Sequence, residues 1–218
     1  MDGASLQAKL YAGYAKAAQR IGQPFGLYRP MTWDNPLADG PIATLDAVFT
    51  VHGPSNFQFG VPSDYQKPMF HALLDGSQVC IGDYLIPSSG PGGPFFIAAM
   101  QPNVPILAVQ CNRTLSAFNP GPVLNIGANA YAGTTQANEA AIMAAWPASA
   151  LLGARGVRDQ TLPSDAGYGS WRILMPYWEG VRIRPGTILV DDLTNRMVVQ
   201  SAELQDLGWR IDATQMVT

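Results

Sequence analysis

The spacing of apolar positions changes twice along the chain. In SLQAKLYAGYAKAAQRI (residues 5–21), Leu6, Leu10, Tyr14, Ala17 and Ile21 follow one another at intervals of four, four, three and four, one apolar stripe along a helix. Ser5 stands where an N-cap belongs, Gly22 is a stop, and Pro24 bars continuation. The next segment, FGLYRPMTWDNPLADG (residues 25–40), carries Phe25, Tyr28 and Trp33 among two prolines with no period, and it predicts an extended arm. From Ile42 onward the spacing falls toward two. IATLDAVFTV, MFHALL, QVCIGDYLI, PFFIAAM, ILAVQCN, WRILMPYW, TILV, RMVVQSAE and GWRIDATQM read as short strands divided by Gly, Pro, Asn and Asp turns. AAIMAAWPASALL (140–152) reads both ways, because its alanines favour a helix that Pro147 would end or kink.

The strand-like text is written twice. A shift of 104 residues carries Gly82 to Gly186, Tyr84 to Ile188, Leu85 to Leu189 and Ile86 to Val190, and likewise Met69 to Ile173, Leu73 to Tyr177 and Val79 to Ile183. After the next turn the shift slips to 101, laying PFFIAAM against NRMVVQS, and the last strands return to near 104. An offset that holds across four segments and changes only at turns is the signature of two copies of one unit. Strands this short cannot bury a face alone, and closing them into a small barrel removes most exposed edges. The expected fold is therefore mainly β: two tandem small antiparallel β-barrels, SH3- or OB-like, behind an N-terminal amphipathic helix. The expected divisions are residues 1–40 for helix and arm, 41–118 for the first barrel, and 119–218 for the second barrel with its long loops.

Composition narrows the partners. Apolar residues make up 47% of the 218 and charged residues only 13%, about half the usual share. Surfaces so poor in charge suit coverage by neighbours. A net charge of −3 gives no reason to expect nucleic acid, and no apolar stretch reaches the length of a membrane span. The first twenty residues lack the layout of a secretory signal.

Reactive constellations are sparse. The two histidines, His52 and His71, occur without HExxH, CxxC or CxxH spacing, so neither a metal nor a cofactor is expected. Cys80 and Cys111 lie in apolar runs and read as buried thiols, while Asp191-Asp192 suits a hairpin turn. Cys80 with His71 and Asp83 is the single nucleophile-like set, and it needs Cys80 on an exposed face. No catalytic residue is assigned, and the protein is expected not to be an enzyme. Seven of the ten arginines follow residue 150. Among them, Arg155, Arg158, Arg182 and Arg184 are suited to bidentate contacts with a neighbour's carboxylates.

LQAKLYAGYAKAAQRIGQPFGLYRP, PFFIAAMQPNVPILAVQCNR, and WPASALL with PGTILVDDLTNRMVVQSAELQDLGWRIDATQ resemble structural proteins of tailed-bacteriophage and prophage virions. The last segment is similar to the head-closure type of small barrel, with its Gly turn, Asp-rich hairpin and Gly-Trp final strand. The resemblance implies a non-enzymatic virion component, assembled in the host cytoplasm, that forms a ring at the head–tail neck as a collar or connector. Its expected partners are further copies of itself and other virion proteins, namely a portal or adaptor, the tail tube or the baseplate. Leu6, Leu10, Tyr14, Phe25, Tyr28 and Trp33, with the four arginines, are the expected assembly contacts. The Phe25–Pro36 arm and the loops 88–93, 119–138 and 153–170 are expected to reach adjacent subunits. Alternative readings are a tail or baseplate adaptor of the same virion, and a receptor- or glycan-binding module using exposed Trp and Tyr.

Overall fold

A computed structural model describes residues 2–50, 68–90, 92–121, 138–153 and 169–216. It opens with helix α1 (Gly3–Ile21). Six strands follow: β1 (Gln23–Tyr28), β2 (Ala43–Thr50), β3 (Met69–Leu73), β4 (Tyr84–Pro87), β5 (Phe95–Ala99) and β6 (Ile106–Gln110). Six more follow among the described residues: β7 (Arg113–Pro120), β8 (Glu139–Leu152), β9 (Ser170–Met175), β10 (Ile188–Asp191), β11 (Arg196–Gln205) and β12 (Gly208–Gln215). All strand pairs are antiparallel, and each set of six closes into a barrel.

The two barrels have one topology. The first runs β1-β2-β3-β6-β5-β4 and returns to β1; the second runs β7-β8-β9-β12-β11-β10 and returns to β7. Adding six to each strand number converts one into the other. Gly82 and Gly186 share φ +89°, a left-handed conformation that disfavours a side chain. Each leads into the fourth strand of its barrel and donates its N–H at 2.9 Å to the fifth, to Ile97 O and Val199 O respectively. Even the bulge is duplicated, between Ile97 and Ala99 in β5 and between Val199 and Ser201 in β11.

Pairing refines the expected offsets. β4 and β10 correspond at the expected 104, since Leu85 faces Leu27 as Leu189 faces Ala117. Ile97, however, corresponds to Val199 and Ala108 to Ala213, offsets of 102 and 105, each one residue from the sequence alignment. Met69 corresponds to Ser170, not Ile173, because Met69 faces Val109 as Ser170 faces Thr214. Alignment of similar residues does not fix the register of pairing after turns of unequal length, and a slip of one residue exchanges the two faces of a strand.

The domain limits also move. The segment expected to be an arm begins with β1, a full member of the first barrel. β7 belongs to the second barrel, so the junction is Cys111–Asn112 and not residue 118. The ambiguous run 140–152 is strand β8, accommodating Ala145 at φ +56° beside register shifts in its pairing with β7.

Asp2, not Ser5, caps α1: its Oδ1 accepts the Ser5 N–H at 2.8 Å. The helix packs on β2 and β3 of its own barrel. Its docked face is centred on Ala18, the one fully buried helix residue, and on Tyr11, whose ring lies over Gly76 so closely that a Cβ there would sit 2.5 Å away. Small contact residues draw the helix backbone close. This turns Leu6 and Ile21, the ends of the predicted stripe, toward solvent at 41% and 58% exposure.

The first barrel is filled by Phe25, Leu27, Leu85, Phe95, Ile97 and their neighbours, with Phe49 stacked on Phe95 at 3.7 Å between ring centres. The second core does not stop at the second barrel. It runs without a break from Leu115, Met143, Trp146, Ile173 and Ile211 into Tyr84, Phe96, Ala98, Val109 and Cys111, the outward residues of β4 to β6. Every residue of β5 is buried, because one face fills its own barrel and the other fills the seam. We expect Phe96→Ala to cost about 3–5 kcal/mol and to lower both barrels' stability in one cooperative transition. Denaturant unfolding followed by tryptophan fluorescence and by far-UV circular dichroism should give coincident curves; separate transitions would show that the barrels fold independently.

Candidate functional site

The seam between the barrels is where the unassigned polar and aromatic groups of the chain converge. Tyr84 on β4 crosses it and donates its hydroxyl to Pro147 O on β8 at 2.9 Å, in a fully buried position. Pro147 gives no N–H to the sheet, but its carbonyl remains an acceptor, which the phenol satisfies. Trp146 meets the Tyr84 ring edge-on at 6.2 Å and the Trp178 ring at 5.6 Å. Burial pushes the Tyr84 hydroxyl well above the ordinary phenol value, and it likewise raises the Cys111 thiol.

A strap locks the seam from outside. After β1 the chain leaves the first barrel, crosses β8 of the second, and returns to β2. Trp33 O accepts both the Trp146 indole N–H at 2.7 Å and the Ala144 N–H at 3.1 Å, and Asn35 N donates to Ala144 O at 2.9 Å. Asp34 thereby forms a parallel bridge with Ala144. Leu37 packs on the seam core, and Ile42 N returns to Leu27 O at 2.7 Å. At the start of the strap Arg29 grips Asp83 with a two-pronged contact, Nε to Oδ1 at 2.9 Å and Nη2 to Oδ2 at 2.7 Å. The Asp83 side chain also accepts the Cys80 N–H at 2.7 Å. The Asp83 hydrogen bond, first among the causes, holds the Arg29 guanidinium above its ordinary pKa and fully charged.

This arrangement corrects several expected contacts. Phe25 is 1% exposed inside the first barrel, packed edge-on against Phe49 at 5.2 Å, and offers nothing to a partner. Tyr28 is half-buried against the seam, and the arm binds the chain's own second barrel. Trp33 spends its carbonyl on that contact while its ring stays 45% exposed. Leu6 is exposed, and Leu10 and Tyr14 are half-buried on α1. Arg182 and Arg184 are exposed, flanking buried Ile183, and make no ion pair among the described residues. Arg155, Arg158 and His52, with most of the loops 119–138 and 153–170, lie outside the described residues. The expected contacts that fall among the described residues are thus distributed over α1, β1, the strap and the segment before β10.

The nucleophile-like set does not assemble. Cys80 is exposed, but Asp83 is committed to Arg29 and the Cys80 amide, and no hydrogen bond joins the thiol to His71, whose Nδ1 is buried without a partner. Cys111 is buried, as expected; Cys80 is not. Asp191 shapes a turn, its Oδ1 accepting N–H groups of Leu193 at 3.0 Å and Asn195 at 2.7 Å. Trp146 and Trp209 are buried, Trp171 and Trp178 are half-buried against the seam core with the Trp178 ring tilted on Trp146, and Trp33 is the exposed indole.

Sequence reasoning missed the seam residues Tyr84, Phe96 and Trp146. One signal could have found them: PFFIAAM lacks the alternation of a strand with one wet face. The geometry defines a class, a duplicated double barrel fused through a shared core and clasped by its own strap. Among family models, curated proteins and solved structures, nothing matches the chain.

Tyr84→Phe should cost about 1–3 kcal/mol by leaving the Pro147 carbonyl buried without a donor. The phenol also carries a signed pH dependence. Its pKa is raised on folding, so its contribution is complete below the unfolded value near 10 and is lost above it, as the unfolded chain ionises and the folded chain does not. Urea titrations from pH 8 to 11 should show wild-type stability falling more steeply above pH 10 than that of Tyr84→Phe. Parallel slopes would place the hydroxyl in water.

Proposed function

We propose that this chain is a non-enzymatic structural component of a tailed-phage virion, forming a ring at the head–tail neck through contacts between copies. One observation carries the reading: the barrels are welded into a single body by a continuous apolar core and a strap. A ring subunit must transmit load between neighbours without internal slippage, and a shared core resists it because packed interiors deform little. The resemblance of the opening, middle and closing segments to virion structural proteins supports the same reading, as does the low charge.

The mechanism is geometric. Because Phe25 and the strap backbone are used internally, contacts between copies fall to the outer side of α1, where Leu6 and Ile21 are exposed, to the Trp33 ring, and to Arg182 and Arg184. Arginine at such positions favours planar two-pronged pairing with carboxylates across an interface. A tail or baseplate adaptor of the same virion would use the same body, and an image reconstruction of the particle distinguishes the two positions.

Mass spectrometry of purified virions should detect the chain in a constant ratio to the major head and tail proteins; its absence from particles overturns the proposal. In particles carrying Arg182→Glu with Arg184→Glu, the chain should be depleted at least tenfold. The purified variant should keep its stability within about 0.5 kcal/mol, as exposed substitutions do. Equal incorporation of the variant would remove these arginines from the interface.

A further inference from the structure

The duplicated barrels differ at one hairpin. In the first, β5 and β6 separate beyond the Ala99–Leu107 pair. In the second, pairing continues past the equivalent Ser201–Asp212 pair to Gln205–Gly208, so the β11–β12 hairpin projects further than barrel closure requires. β10 accompanies β11 only over Arg196–Val198, and Val199 makes the last backbone contacts on that side, with Gly186 and Thr187. From Ser201 to Gln205, β11 therefore has a partner on one side alone among the described residues.

The direction of the free groups follows from the turn. Gln205 and Gly208 close the two-residue turn Asp206–Leu207, and the closing pair of such a turn exchanges its hydrogen bonds. Hydrogen-bonded and non-bonded pairs alternate in an antiparallel ladder. Glu203 thus bonds to β12, whereas Ala202 and Leu204 direct N–H and C=O toward the open side. At the tip of the hairpin this edge runs into a groove of about 430 Å³, lined by Leu204 and Asp206, by Pro176 and Tyr177 after β9, and by Ile81 and Ile97 of the first barrel, among others. Its apolar walls are open to solvent: Ile81 is 58% exposed, Tyr177 47% and Leu204 48%.

We propose that the β11 edge and this groove form a docking site for an extended strand of a different protein, added antiparallel to Ser201–Gln205. Free backbone donors and acceptors beside apolar side-chain pockets are the requirements of strand addition. The five edge residues match a docked segment of about 17 Å. The incoming strand carries apolar residues at alternate positions, to meet Leu204, Ile81 and Tyr177. A Lys or Arg at one end meets Asp206, the charged group among the lining residues. A second copy is not the source: among the described residues it has no spare strand outside its closed barrels, and pairing its own free β11 edge symmetrically over Ser201–Gln205 would set Glu203 against Glu203. The site does not depend on the virion reading, since the edge is present whatever assembly the chain joins.

Panning a displayed library of random twelve-residue peptides against the purified full chain tests this. The expected result is enrichment of sequences with alternating apolar residues and a terminal basic residue. In the wild-type protein the bound peptide should slow amide exchange at Ala202 and Leu204. Ala202→Pro removes an edge donor that β12 does not use, and Leu204→Lys charges the groove wall. Each should weaken fluorescence-polarisation binding at least tenfold without altering the far-UV spectrum. If Ala202→Pro fails to fold, Leu204→Lys and the exchange data decide. Enrichment without alternation, unchanged exchange at Ala202 and Leu204, or undiminished binding by folded variants would overturn the proposal. So would a concentration-dependent dimer lost in Ala202→Pro, which would assign the edge to a second copy. Peptide binding by a chain absent from virions would sustain this site while removing the ring.

Discussion

The shared seam is the constraint on which the rest of the molecule depends. A six-stranded barrel of about eighty residues has little interior to fill, and small single cores are marginal. Here the outward faces of β4, β5 and β6 are not surface but the floor of a second core. Burying Tyr84, Phe96 and Trp146 there contributes on the order of 1.5–3 kcal/mol each, more than surface pairs such as Arg172–Asp212 can offer. The polar atoms this burial strands are matched individually, the phenol to Pro147 O and the indole to Trp33 O. The strap exists where it does because the seam contains an indole N–H that needs an acceptor from outside the sheet.

The same constraint decides what is available for function. An irregular, aromatic, proline-bearing segment is the usual candidate for reaching a partner, and in this chain it is taken up internally. Among the described residues, the exposed groups that the seam does not use include the outer side of α1, the Trp33 ring, the arginines around Ile183, and the unpaired end of β11. The buried Arg196–Glu139 pair, 2.5 Å apart, fastens the start of β11 to the start of β8, so the free end of the hairpin projects from an anchored base.

Much of the fold was legible in the sequence, for identifiable reasons. Gly82 and Gly186 mark the same left-handed turn, and the following YLI and ILV keep one register, so the 104-residue offset led to two closed barrels. Local signals failed where tertiary packing overrode them. The stripe of α1 counted Leu6 and Ile21 as core, but Ala18 and Tyr11 dock the helix, because Gly76 offers Tyr11 a place that only a missing side chain allows. The turns on either side of β5 and β11 differ in length between the copies, and composition does not record where pairing resumes, so the alignment of each following strand fell one residue out. Arg29 and Asp83 lie 54 positions apart, and no local pattern joins them.

The duplication also brings out how the two barrels differ on their outer faces. The first barrel occupies, for the second, the place that α1 occupies for the first: α1 leads into β1 and touches β2, as β6 leads into β7 and touches β8. The face of β10–β12 that corresponds to the seam side of β4–β6 does not repeat its apolar character. There Phe96 is replaced by Val198, Ala98 by Gln200 and Val109 by Thr214, with Gln200 exposed at the bulge where Ala98 is 1% exposed. A buried Gln would need partners for both its donor and its acceptor, and none is supplied by a flat barrel face. Repetition of the fold without repetition of its apolar outer face gives a body with one internal junction and a polar end.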